Sequence, residues 1–115
     1  VQFIKTMPVN FYKETSGNEP VRIWLHQLSV DDRKIIGRDI RIVQIDWPIG
    51  LPLVKNLGRG IWEIRSKLDN RISRVLFIFH DGTMILLHAF IKKTQKTPPQ
   101  EIDIAIKRAK NLGAV

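Results

Sequence analysis

A chain of 115 residues, 43% of them hydrophobic, is long enough for one modest core and too short for two ordinary domains, so one domain spanning residues 1–115 is expected. Its 19 Lys and Arg against 11 Asp and Glu leave a net charge of +8, which favours an anionic partner such as nucleic acid, acidic protein or anionic lipid without choosing among them. Without cysteine the chain has no disulfide support or thiolate chemistry, and without a signal-peptide pattern or an apolar run near the roughly 20 residues that span a bilayer, a soluble, cytoplasmic protein with no membrane partner is expected.

Phe3, Ile4, Val9, Phe11 and Tyr12 have the β-branched and aromatic character of an early strand, and Pro8 makes it an edge or interrupted one. After the turn at Ser16-Gly17-Asn18, Pro20 opens a segment with Val21, Trp24, Leu25 and Leu28 at helical spacing, a short amphipathic helix. Ser29 can cap a second helix, with Asp31 and Asp32 at its positive end and Ile36, Ile40 and Val43 on its apolar face. That helix should stop near Trp47-Pro48. Pro48 to Pro52 cannot continue it, and Gly58-Arg59-Gly60 marks a turn before Ile61, with an irregular or edge segment holding Lys55 between them. Ile61 to Leu68, Arg71 to His80 and Thr83 to Ile91 read as three successive strands joined by two-residue loops at Asp69-Asn70 and Asp81-Gly82. Thr97 can cap the last helix, with Pro98 in its first position and Gln100 at capping-box spacing. Ile102, Ala105, Ile106 and Ala109 form its buried stripe, and Lys107, Arg108 and Lys110 point outward. Strand, two helices, antiparallel β-meander and C-terminal helix make an α+β domain.

The most informative stretch is Leu87 to Pro99, where an apolar strand runs into Lys92, Lys93 and Lys96 and ends at a helix start. The lysines are thereby held between two ordered elements. If Asp81-Gly82 is a two-residue loop, His80 pairs with Thr83, and an uninterrupted register sets Val75 opposite His88, Arg74 opposite Ala89 and Arg71 opposite Lys92. Arg71, Ser73, His88, Phe90 and Lys92 then share one face. Arg65 stands opposite Arg74 on the other, beside Glu63. Two arginines so placed repel unless an anion or Glu63 sits between them. The acidic residues are dispersed without metal-ligand spacing, and Asp31-Asp32 is explained by the helix start, so neither a metal nor another cofactor is expected.

Asn18-Glu19-Pro20-Val21, Lys55-Asn56-Leu57-Gly58, Trp62-Glu63-Ile64-Arg65, Arg74-Val75-Leu76-Phe77 and, above all, the string from His88 to Pro98 give a chain that resembles the RelE/ParE superfamily of bacterial toxins over nearly its whole length. The nearest resemblance is to the phage-derived HigB-like group. It implies a RelE-like fold and the toxin of a type II toxin–antitoxin system, a ribosome-dependent mRNA endoribonuclease. A cognate HigA-like helix-turn-helix antitoxin would neutralise it, and operator DNA would be met only through the antitoxin complex. Arg65 and Arg74 match the arginines that family members use for the phosphate. Lys92, Lys93 and Lys96 match the family's basic string, and a lysine whose pKa is depressed by neighbouring cations can take a 2′-OH proton. His88 is the alternative acid or base. Lys55, Arg59, Arg71, Phe90 and Lys93 are the expected RNA contacts, Phe90 as a stacking platform. Many RelE-type toxins carry a late catalytic Tyr, whereas the one Tyr here is Tyr12. A ParE-like protein-binding inhibitor of DNA gyrase, or a detoxified domain that keeps antitoxin binding, would use the same fold.

Overall fold

The computed structural model describes residues 6–92 and 96–114; Phe3 and Ile4 of the expected first strand, and Lys93 of the lysine string, lie outside them. The order is β1 (Val9–Phe11), α1 (Pro20–His26), α2 (Val30–Asp46), β2 (Val54–Gly58), β3 (Ile61–Leu68), β4 (Arg71–His80), β5 (Thr83–Lys92) and α3 (Pro99–Asn111). The strands form one five-stranded sheet in the order β1-β5-β4-β3-β2. β2 to β5 are an antiparallel meander, and β1 adds at the far edge parallel to β5. The α+β class expected from the sequence is therefore observed, with the Lys55 segment resolved as an edge strand and the sheet mixed.

Local chemistry accounts for the element ends. The Ser29 hydroxyl accepts the Asp32 N–H at 3.2 Å, and Asp31 and Asp32 occupy the first turn of α2, where carboxylates complement the helix dipole. At the other end Trp47 meets the rings of Trp62 and Phe79 at centroid distances of 4.9 and 4.6 Å. The β2–β3 and β4–β5 hairpins turn on Arg59-Gly60 and Asp81-Gly82, all four residues at positive φ, as a tight two-residue hairpin demands.

Helices cover both faces of the sheet. Val21, Ile36, Ile40 and Val43 of α1 and α2 pack on Ile64, Val75, Phe77 and Leu86, while Ala105, Ile106 and Ala109 of α3 pack on Ile61, Leu76, Ile78 and Leu87. The middle of β4 is consequently buried without alternation, the pattern of a strand covered on both sides.

One feature breaks the uninterrupted register. The β4–β5 ladder runs regularly from His80 opposite Thr83 to Phe77 opposite Leu86, and then Leu76 stands opposite His88. Leu87 is the extra residue of a β-bulge, which reverses the facing of everything beyond it. Arg74 thus faces Phe90 rather than Ala89, and Lys92 faces Ile72 rather than Arg71. A second difference lies at α3, which begins at Pro99 with Pro98 as its cap and no side-chain capping bond. The Thr97 side chain is turned into the sheet instead.

Ser66 and Ser73 are cross-strand partners, both fully buried, and neither hydroxyl has a hydrogen-bond partner among the described residues. An unsatisfied buried hydroxyl costs about 1–3 kcal/mol. Ser73→Ala is therefore expected to leave the urea midpoint unchanged or raise it, whereas Phe77→Ala should cost about 3–5 kcal/mol. A large loss of stability in Ser73→Ala would show that the hydroxyl is satisfied.

Candidate functional site

The bulge assembles a single cationic face from four strands. Across it run three rows of neighbours: Lys55, Glu63, Leu76 and His88; Arg65, Arg74 and Phe90; Lys67, Ile72 and Lys92. Neighbours in such rows have Cβ atoms about 4.5–5.5 Å apart. α3 closes over the His88 end, and the Lys67–Lys92 end stays open, with Lys67 exposed and Lys92 half-buried. Lys96 is exposed just before Thr97, which touches Arg74, so it stands at the rim of the same face.

At the centre is a buried ionic cluster. Glu63 and Arg74 are both 0% exposed. Arg74 Nη1 donates to the Thr97 hydroxyl at 3.3 Å, and that hydroxyl donates to Glu63 Oε2. Glu63 Oε1 lies 3.5 Å from Nε of Arg65, whose side chain is 17% exposed. Burial pushes the Arg74 guanidinium below the ordinary arginine value, Glu63 pulls it back up, and the Arg65 charge pushes it down again. A base whose folded-state pKa is lowered opposes folding wherever the unfolded chain keeps it charged, which here includes the whole neutral range. Arg74 is held in place by its partners despite that cost. Glu63 thus settles the like-charge problem of Arg65 facing Arg74.

His88 is engaged by α3. Its Nε2 contacts Glu101 Oε2, its Nδ1 lies 3.4 Å from Arg108 Nη1, and its ring stacks on Phe90 at 5.6 Å between centroids. The same Arg108 nitrogen donates to the carbonyl of the bulge residue Leu87 at 2.7 Å. Arg108, expected to point outward, instead reaches back to the sheet. Phe90 is buried against α3, with its plane given to His88. Tyr12 is buried, and its hydroxyl accepts from Asn111 at 3.0 Å.

Two of the expected RNA contacts are not brought to this face. Arg71 points to the side covered by α2, where its Nη2 meets Asp32 Oδ2 at 2.8 Å. Arg59 sits in the β2–β3 turn, separated from Lys67 by the length of β3, roughly 20 Å. Lys55 lies beside Glu63 on the cationic face, and Lys93 is outside the described residues. The sequence reading missed Thr97, Glu101 and Arg108 as members of the site. Thr97 reads as a helix cap and Arg108 as a surface cation, and only α3 docking on the bulged strand redirects them. Among the described residues, no group of three His, Cys, Asp or Glu is placed to share a metal ion, and no helix is long and apolar enough to cross a membrane.

A small, basic α+β domain with paired arginines on an open sheet end is the class of protein these features define. The model of the phage-derived protein Gp49-like family matches residues 23–110, from within α1 to the last turn of α3. The chain belongs to that family, a RelE/ParE-like family of toxins from toxin–antitoxin systems. Membership implies an antitoxin partner. A comparison with curated proteins finds no match.

Removing the carboxylate of Glu63 strands a buried guanidinium. Glu63→Ala is expected to cost about 3–5 kcal/mol by urea denaturation, while the double replacement Glu63→Leu with Arg74→Met should recover most of it, because an apolar pair needs no desolvation. An unchanged midpoint in Glu63→Ala would refute the counter-ion role. His88→Ala should speed amide hydrogen exchange in the first two turns of α3, around Glu101, with little change in β3 and β4.

Proposed function

We propose that this toxin is a ribosome-dependent mRNA endoribonuclease that cuts without a metal and acts in the cytoplasm as a single domain. The observation that carries the reading is the alignment of Arg65 and Arg74 across β3 and β4, in a face rimmed by Lys55, Lys67, Lys92 and Lys96. Such a face suits a phosphodiester, since it offers the partly exposed Arg65 guanidinium to the phosphate oxygens, backed by the buried Arg74 charge, and point charges to the flanking phosphates.

The chemistry follows from placing the scissile phosphate on Arg65, with the Arg74 charge behind it. The substrate's 2′-oxygen attacks phosphorus as its proton passes to a base on the protein, the Lys92 and Lys96 amines being the candidates. The bond from phosphorus to the 5′-oxygen breaks, that oxygen takes up a proton from water, and the products are a 2′,3′-cyclic phosphate and a 5′-hydroxyl. Arg65 and Arg74 stabilise the charge that builds on the pentacoordinate phosphorane. Glu63 and Thr97 hold the Arg74 fork before substrate arrives, which spares reorganisation at the moment of reaction. His88, engaged by Glu101 and Arg108, anchors α3 rather than supplying the base. A cognate helix-turn-helix antitoxin of the HigA type would neutralise the cationic face with acidic residues.

The test is cleavage of a defined mRNA by the purified protein in EDTA, with and without programmed ribosomes, mapping the 5′ ends. Cuts that need the ribosome are expected, with activity falling about 10²- to 10³-fold in Arg65→Ala and declining steeply as salt rises. A well-folded Arg65→Glu variant that cuts like the parent would refute the phosphate role. No cutting by a protein that still arrests growth would favour a protein target such as DNA gyrase.

A further inference from the structure

β2 is shorter than β3, and the sheet edge it leaves bare opens into a cleft. Val54 is the first paired residue of β2, and beyond it Leu53 contributes only a carbonyl, which accepts the Arg65 N–H at 2.8 Å. Between this edge and α2 lies a cavity of about 370 Å³, within the range of small-ligand sites. Pro52, Leu53 and Ile72 give it apolar walls, and Arg38, Asp39, Arg65 and Lys67 supply its charges. Arg65 lines both the cleft and the cationic face, so the two are continuous.

Asp39 is the unexplained group. It is 7% exposed and lies on the buried stripe of α2 with Ile36, Ile40 and Val43. Among the described residues its one ion-pair partner is Arg38, whose Nε is 3.7 Å from Oδ1, beyond hydrogen-bond distance. The carboxylate accepts no hydrogen bond from a described residue and its remaining exposure is to the cleft, so a ligand that brings donors can pair with it in place of water. The three surrounding cations repel a lysine or arginine side chain, and an acidic peptide has no side-chain donor to offer the carboxylate. A nucleotide meets every requirement, with base N–H groups for Asp39, flat faces for Pro52, Leu53 and Ile72, and a phosphate for Arg65 and Lys67. Guanine presents two adjacent donors, N1–H and the 2-amino group, which match the two oxygens of one carboxylate.

We infer that this cleft is a guanine-selective nucleotide subsite in which Asp39 reads the Watson–Crick edge while Arg65 and Lys67 hold the adjoining phosphate. It rests on the RNA-cleaving reading above and adds to it a specificity-determining residue for the nucleotide that adjoins the scissile phosphate.

Binding is tested apart from cleavage. The ¹⁵N-labelled protein is titrated with uncleavable 2′-O-methyl trinucleotides that differ only in a central guanine or adenine, and with guanosine monophosphate. The guanine trinucleotide should bind about 10- to 100-fold more tightly than the adenine one. Asp39→Asn and Asp39→Ala, with unchanged melting, should erase the difference, and Lys67→Gln should weaken both ligands equally. Equal affinity for the two bases, or a guanine preference that survives in both Asp39 variants, overturns the subsite. Guanosine monophosphate binding as tightly as the trinucleotide overturns its assignment to RNA. Wild-type cuts without a neighbouring guanine sink this inference and leave the nuclease standing, whereas guanine-selective binding by a protein that cuts no RNA does the reverse.

Discussion

The buried Glu63 carboxylate allows two arginines to face each other across β3 and β4. Like charges about 4 Å apart repel by roughly 4 kcal/mol at an effective dielectric of 20, enough to cancel much of a small domain's stability. With Glu63 beside Arg65 and joined to Arg74 through the Thr97 hydroxyl, the repulsion is offset and the trio stays net positive. The buried guanidinium has little freedom. The half-open one, Arg65, can turn toward a ligand. An anion at this face would therefore meet the adjustable Arg65 fork, with the fixed Arg74 charge buried behind it.

The bulge at Leu87 is the geometric counterpart of that electrostatic device. One inserted residue moves His88, Phe90 and Lys92 to the side that carries Arg65 and Arg74, and α3 then docks on the altered strand. Arg108 satisfies the Leu87 carbonyl and lies against the His88 ring, which Glu101 holds from its other nitrogen. Docking of α3 also delivers Thr97 to the ionic cluster. A shift of α3 would thus be felt at Arg74, although the helix contributes no side chain to the open end of the face.

The division of the sheet surface follows from where the helices stop. α1 and α2 cover one face and α3 the His88 end of the other, which leaves the Lys67–Lys92 end toward solvent, with Arg65 partly exposed beside it. The family relationship says what kind of protein carries this surface. The cluster says how its buried charges are balanced. Neither depends on the net charge of +8, much of which sits elsewhere, as with Arg59 in its turn and Arg71 paired to Asp32.

Much of the fold was legible along the chain because its signals are local. Ser29 before Asp31-Asp32, the helical spacing of Val21 and Trp24, and the two-residue loops at Asp69-Asn70 and Asp81-Gly82 each act over a few residues, and each element formed as they required. The pairing of Arg65 with Arg74 followed from loop length alone. The register of β5 did not. A bulge has no signature in the alternation of a strand buried on both faces, since Leu86, Leu87, Ala89 and Phe90 are apolar whichever way they point. Thr97, Glu101 and Arg108 were ordinary residues of a cap and a helix surface until α3 packed on that bulge, and Asp39 was one more helical carboxylate until the short β2 left a cleft beside it. The sequence by itself determined the elements, their order and the residues able to bind an anion, because propensity and turn chemistry are local. Tertiary packing alone decided which of those residues meet, because a single inserted residue reverses the facing of a strand.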